Sequence, residues 1–188
     1  MVTAGKVRYI GASNYAAWEL MKALGISEAR NLVKYVSIQC SYSLADRTPE
    51  TELLPLCLDQ GIGIIPYFPL AGGILTGKYA GNVAAPAGSR AQTDPGFSRF
   101  LTPERIELGS KVSRMAEELG LSPAELALAW LMGRPAVSTV IVGATSVRQL
   151  QQNLHSTSAS LDAQTLDRLE EASRSFRSGE PFAVYRLP

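Results

Sequence analysis

A chain of 188 residues, 46% apolar and 19% charged, can bury one sizeable core and is short for two domains. Its 18 basic and 17 acidic residues leave a formal net charge of +1 without a basic block, which argues against a nucleic-acid surface built on clustered Lys and Arg. The apolar stretch 62–75 is broken by glycine and proline, residues 1–6 lack the apolar centre of a secretory signal, and Cys40 and Cys57 are too few for a disulfide framework or a metal set, so a soluble, cytoplasmic protein with no membrane span is expected.

In chain order, short β-branched runs alternate with amphipathic stretches. Residues 6–11 read as a first strand and 15–24 as a helix stopped by Gly25. A second strand covers 35–39. Thr48 and Pro49 then open a helix as hydroxyl cap and first-turn proline, with Leu53, Leu54, Cys57 and Leu58 inward and Gly61 as its stop. A third strand spans 62–67, and a loop rich in Gly, Pro, Ala and Ser runs from about 71 to 101. From Pro103, the residues Leu108, Val112, Met115 and Leu119 recur at helical spacing. Ser122 to Glu125 has the form of a capping box and opens a helix through Trp130. A fourth strand at 138–142, a helix from 147 to about 154 and a last helix over 162–176 complete the pattern, the last with Leu166, Leu169 and Phe176 on one face.

The first β–α units recur at intervals of about 25 to 30 residues, the spacing of a βα barrel. The strands read as continuous apolar runs, as parallel strands covered by helices do. This predicts an α/β fold of about four parallel strands with surrounding helices. A closed barrel needs about eight strands, so half the wall is expected here, as a single partial domain over 1–188.

In such a fold, chemistry collects at the carboxyl ends of the strands. Those ends carry Ser13 and Asn14, then Gln39, then Tyr67 to Gly73, then Gly143 to Ser146 ahead of a helix. Amides both donate and accept and so suit a carboxamide, and Tyr67 offers a flat face to an aromatic ring. The last segment places free amides and hydroxyls at a helix N-terminus, an anion site in form, although helix capping by Ser146 and Gln149 explains it equally well. Competing motifs are weak. Gly72 to Lys78 fits the spacing of a nucleotide triphosphate loop, but Tyr79 stands where Ser or Thr should, and Ile74 and Leu75 occupy its interior. Gly61 and Gly63 precede a strand instead of following one. His155 reads as a solvated helix end, and the two cysteines as buried thiols.

The segment from Gly5 to Tyr15 resembles the motif that opens the second half of aldo-keto reductases. The segments 39–44, 69–79 and 142–153 match in the same order, and the likeness is nearest to the branch of bacterial general reductases and potassium-channel β subunits. The resemblance implies the second half of a (β/α)8 TIM barrel that binds NADP(H) without a Rossmann domain and reduces aldehydes and ketones. By position, Ser13, Asn14 and Gln39 would hold the nicotinamide carboxamide and Tyr67 would stack on the ring. Phe68 stands where the family often has Ser, its backbone lining the pyrophosphate. Pro69, Leu70, Ala71 and Gly72 would follow the cofactor backbone, and Lys78 and Arg90, in the long loop, would close over the phosphates. Gly143, Thr145 and Gln149 would surround the adenosine phosphate, with Gln152, in place of a frequent Glu, and Asn153 at the adenine.

The family's Asp, Tyr, Lys and His set belongs to the earlier half-barrel, and no segment here matches its motifs. His155 follows the last cofactor motif. Hydride transfer needs a positioned proton donor, so no catalytic residue is assigned, and turnover of a small carbonyl substrate is expected only on completion by a first half-barrel. The alternatives are a non-catalytic NADP(H)-binding or partner-binding module, or a non-functional truncated product. Open sheet edges predict a homo-oligomer or capture of a complementing chain.

Overall fold

The computed structural model describes residues 1–80 and 86–178. The β-branched runs pair as a parallel sheet in sequence order, β1 (Gly11–Ser13), β2 (Ser37–Ser41) and β3 (Gly63–Tyr67). Ala12, Ile38 and Ile64 form one row across the strands, and Ser13, Gln39 and Ile65 the next. Successive rows point to opposite faces, as the two-residue strand period requires. Ile38, Cys40 and Ile64 lie in one core with Leu20 and Leu24 of α1 (Ala17–Ala29) and Leu53 and Cys57 of α2 (Leu53–Gln60). Gln39 and Ile65, in the other row, are half-buried. The strands thus alternate, in place of runs buried on both faces, because the described helices bury one side of the sheet.

Two strands depart from the sequence pattern. β1 is short and late, replacing a strand over 6–11; before Gly11 it keeps one sheet bond, from the Val36 N–H to the Ile10 carbonyl at 3.0 Å. The expected fourth strand at 138–142 is not a regular strand. Its chain lies beside β3 in the parallel sense, with a bridge between Ile64 and Val137. The Ser138 N–H donates to the Ile64 carbonyl at 3.0 Å and the Ile141 N–H to the Pro66 carbonyl at 2.9 Å. Three residues therefore span what two span on β3, and the extra residue breaks the ladder as a bulge does.

The helices follow their caps more closely than their glycines. α1 runs through Gly25 to Ala29, because a helix interior tolerates one glycine at a cost of about 1 kcal/mol. Thr48 does not cap α2; its hydroxyl donates to Asp46 Oδ1 at 2.7 Å, and a 3₁₀ turn, Thr48–Glu50, precedes the helix. Gly61 ends α2 in the left-handed conformation, as expected. Leu58 is 52% exposed, so the inward stripe is Leu53 and Cys57 with Leu54 beside them.

The long segment 71–101 contains a 3₁₀ turn, Ala71–Thr76, a single-turn helix α3 (Arg90–Thr93) and a second 3₁₀ turn, Pro95–Phe100; its residues 81–85 lie outside the described residues. In α4 (Pro103–Glu118), Leu108, Val112 and Ala116 are buried and Met115 packs at the margin, while Leu119 lies past the helix end and is exposed. The capping box forms at α5 (Pro123–Met132): the Glu125 N–H donates to Ser122 Oγ at 3.2 Å and the Ser122 N–H to Glu125 Oε2 at 2.7 Å. Residues 126–131 of α5 are all buried, which makes it the central helix of the core. α6 (Val147–His155) and α7 (Ala163–Ser173) follow, α7 passing into a 3₁₀ turn, Arg174–Arg177.

One buried cation ties the segment after β2 to α7. Arg47 is 0% exposed and donates to both Glu50 oxygens at 2.8 and 2.7 Å and to Ser173 Oγ at 2.8 Å. It also pairs with Glu170 and lies over the Trp130 ring, 5.2 Å from its centroid. Burial alone would push Glu50 upward. The hydrogen bonds and charge of Arg47, with the Tyr42 hydroxyl and Arg177, outweigh it and hold the carboxyl below its usual value.

Candidate functional site

The chain leaves β3 at Tyr67 through a segment that only a few residue types can form. Phe68 has φ 54° and Ala71 φ 50°, and Gly72 and Gly73 follow at 64° and 98°. A left-handed Phe or Ala stores about 1–3 kcal/mol and persists only when its surroundings fix it. Here they do. The Ala71 N–H donates to the Phe68 carbonyl and the Gly73 N–H to that of Leu70, both at 2.8 Å, while Ala71, Ile74 and Leu75 are buried in the core. A side chain on Gly72 would collide with the Phe97 ring, and one on Gly73 with Cε and Nζ of Lys78.

This segment forms one wall of a cavity of about 820 Å³, within the range of small-molecule and cofactor sites. Tyr67, Phe68, Pro69, Leu70 and Gly72 line it on that side; Lys78 and Arg90 line it from the long segment; Gly143, Thr145, Gln149, Gln152 and Asn153 line it opposite. Two helix N-termini also reach it, α5 through Ser122, Pro123 and Ala124, and α6 through Thr145 just before its cap Ser146. Helix N-termini carry partial positive charge, and Lys78 and Arg90 add two full charges. Among the described residues no carboxylate lines the cavity. Its field suits an anion.

The other sequence-chosen residues lie elsewhere. Ala71 is wholly buried, so it holds the wall from behind. Ser13, Asn14 and Gln39 do not line the cavity but adjoin it at the strand ends. Ser13 is in register with Gln39, the Asn14 N–H donates to the Gln39 carbonyl at 2.9 Å, and the Tyr67 hydroxyl donates to Asn14 Oδ1 at 2.7 Å. Tyr67 therefore joins the cavity to the amide pair.

The cations have partners of their own. Arg90 lies 4.9 Å from the centroid of the Phe68 ring, and its Nε is 3.7 Å from Asp94. Lys78 lies over the Tyr79 ring at 5.2 Å. At α6 both capping contacts form: the Gln149 N–H donates to Ser146 Oγ at 3.2 Å, and Gln149 Oε1 accepts from the Thr145 N–H at 2.7 Å. Thr145 and Gln149 line the cavity, but the backbone N–H of each is taken by these caps.

The sequence pattern missed Ser122 to Ala124. Their signal, the capping box, was legible as a helix start, but its proximity to the cavity depends on how α5 packs. Ile141 and Val142 were missed because a regular strand would have alternated them between faces. The competing motifs acquire plain explanations. Ile74 and Leu75 are core residues in a 3₁₀ turn, so Gly72 to Lys78 is no triphosphate loop. His155 is 77% exposed at the end of α6, 3.6 Å from Glu125. Cys40 and Cys57 are buried free thiols, which burial pushes up to about 12 and about 11. No group of three or more His, Cys, Asp or Glu able to hold a metal, and no helix long and apolar enough to cross a membrane, occurs among the described residues.

Comparison with known proteins places this geometry in a family. The chain is 37% identical over 171 residues to an uncharacterized oxidoreductase, YrpG, of Bacillus subtilis, covering 90% of this chain and 50% of the relative. It is 32% identical to a versiconal hemiacetal acetate reductase of Aspergillus parasiticus, covering 91% of this chain and 50% of that one. A putative voltage-gated potassium channel subunit beta of Schizosaccharomyces pombe is 37% identical, over 82% of this chain and 46% of its own. The chain spans about half the length of the curated relatives it matches. Sheet, cavity and α7 all fall within residues 1–174, which match the aldo/keto reductase family, and the chain belongs to that family.

Proposed function

We propose that the cavity holds NADP(H) and that the chain supplies the cofactor side of a carbonyl reduction, within the second half of a (β/α)8 barrel. One observation carries the reading: a single cavity, lined by no carboxylate among the described residues, joins an aromatic wall at Tyr67, two cations and two helix N-termini. That donor set fits a dinucleotide, which needs an aromatic face at one end and anion binding along its length. Tyr67 would face the nicotinamide, with Asn14, Ser13 and Gln39 beside its carboxamide. Phe68 to Gly72 would run along the pyrophosphate, Lys78 and Arg90 would neutralise it, and Gly143, Thr145, Gln149, Gln152 and Asn153 would hold the adenosine end. When bound, the reduced nicotinamide supplies a hydride to a carbonyl carbon. In this reading Lys78 and Arg90 are taken up by the phosphates and the Tyr67 hydroxyl by Asn14, and His155 is not among the residues that line the cavity.

A complementing half-barrel supplies the proton donor for the resulting oxygen. In this reading the exposed apolar side chains Tyr9 and Trp18, on either side of β1, and Ile141, on the segment paired beside β3, mark where it or a second copy would dock. The test has two arms on the 188-residue chain. Titration with NADPH, followed by the cofactor's fluorescence, is expected to saturate below about 1 mM, a binding energy of about −4 kcal/mol or better. NADPH oxidation with a reactive aldehyde is expected to stay at the uncatalysed rate. Absence of binding removes the cofactor reading, and robust turnover removes the division of labour. A binding module without catalysis is the second reading, favoured by the likeness to potassium-channel β subunits; it predicts the same binding but no turnover even when a first half-barrel is added.

A further inference from the structure

We propose that Tyr67 is a positioning residue: its hydroxyl locks the Asn14 amide so that the strand ends present a hydrogen-bond donor to a carboxamide. The proposal rests on the cofactor reading above and concerns the nicotinamide end alone.

Asn14 and Tyr67 stand at the ends of β1 and β3, with β2 between them. Two strand spacings separate them, about 10 Å, a gap that calls for a long side chain on one partner. The Tyr67 hydroxyl closes it, donating to Asn14 Oδ1 at 2.7 Å. Strand alternation would send the side chain of residue 14 to the face opposite Ser13. Asn14 instead has φ 59°, a left-handed turn that Asn tolerates better than most residues, and its N–H is held by the Gln39 carbonyl at 2.9 Å. The backbone is thus bent and pinned to bring the amide under the phenol.

An amide has an accepting and a donating end, and the torsion that exchanges them is broad and roughly two-fold. With Oδ1 taken by Tyr67, the donating Nδ2 is the end left for a ligand, and it has no hydrogen bond to the described residues. A ligand group that matches is an acceptor, such as the oxygen of a carboxamide. The ring of Tyr67 lines the cavity while its hydroxyl serves Asn14. The two roles separate cleanly by substitution, since Tyr67→Phe keeps the ring and removes the lock.

The test compares NADPH with 2′-phospho-ADP-ribose, which lacks the nicotinamide, by calorimetric titration of the wild-type chain, Tyr67→Phe, Asn14→Gly and the double variant. Asn14→Gly is used because glycine accepts the left-handed backbone. Tyr67→Phe is expected to weaken NADPH about fivefold, the effect of one net hydrogen bond, and to leave 2′-phospho-ADP-ribose within about twofold. In the Asn14→Gly background the same substitution is expected to have no further effect on NADPH. A purely structural role would weaken both ligands together and persist without Asn14; that result, or unchanged NADPH affinity in Tyr67→Phe, overturns the proposal. If wild type binds 2′-phospho-ADP-ribose in those cases, the cofactor reading stands and only the positioning role falls. If wild type binds neither ligand, both fall. Matching thermal melts for Tyr67→Phe and wild type establish that the variant is folded.

Discussion

The wall from Tyr67 to Gly77 is anchored in the core, with Ala71, Ile74 and Leu75 buried and Phe68, Ala71, Gly72, Gly73 and Gly77 all left-handed. The wall from Ile141 to Asn153 is more exposed: it joins β3 through a bulged pairing, Val147 and Leu150 are exposed at 73% and 50%, and in its helical part only Asn153 is buried. One side of the cavity is therefore shaped before any ligand arrives, and the other is held by caps and a few hydrogen bonds. Pre-shaping lowers the ordering cost of binding at the ring end. Stability is not uniform in a fold, and segments that close on ligands come from its less stable parts.

The largest effect expected is in the core that Ala71, Ile74 and Leu75 share with Tyr42 and Trp130. Arg47→Met leaves Glu50 without its bidentate partner, and urea unfolding should show a loss of about 3 kcal/mol. A matched pair of glycine substitutions tests the contrast itself. Gly72→Ala drives a Cβ into Phe97 at a left-handed position and should cost about 2 kcal/mol. Gly143→Ala meets nothing within 4 Å and should cost less than about 0.5 kcal/mol. Equal costs would erase the distinction between the walls. Next in size, Ser146→Ala removes the α6 cap and should raise amide exchange across Val147–His155 by about 1 kcal/mol of local stability, with little change elsewhere.

The smallest effect expected is on pH dependence. The carboxyl of Glu50 is held below its usual value, so its contribution is fully present above the unfolded value, about 4.3, and is lost as pH falls through the lower folded value. Melting curves between pH 5 and pH 2 should show Tm falling with acid, and a shallower fall in Arg47→Met. An unchanged slope would mean that Glu50 is not coupled to Arg47.

How much of this was legible depended on how local the cause was. The capping box at Ser122 and Glu125 and the stop at Gly61 need only neighbours in sequence, and both formed where expected. Gly25 and Thr48 misled, because burial of Leu24 and the Thr48 bond to Asp46 outweigh local preference. The fourth strand failed for a similar reason: residues 138–142 have strand composition, but their register against β3 slips by one residue. At the site, the residues chosen from motifs gathered around one cavity, apart from Ser13, Asn14, Gln39 and Ala71. The contribution of α5 was invisible, since no pattern in residues 122–124 tells which loop they will face. The bond between Tyr67 and Asn14 was equally hidden, being set by sheet order and one left-handed residue.

Hydrogen–deuterium exchange on the 188-residue chain, with and without saturating NADPH, tests the central claim most directly. Protection is expected to rise most across residues 143–149 and 88–90, and little across 67–77, which is already fixed. No change in any of these segments, or protection confined to surfaces away from the cavity, would contradict the account.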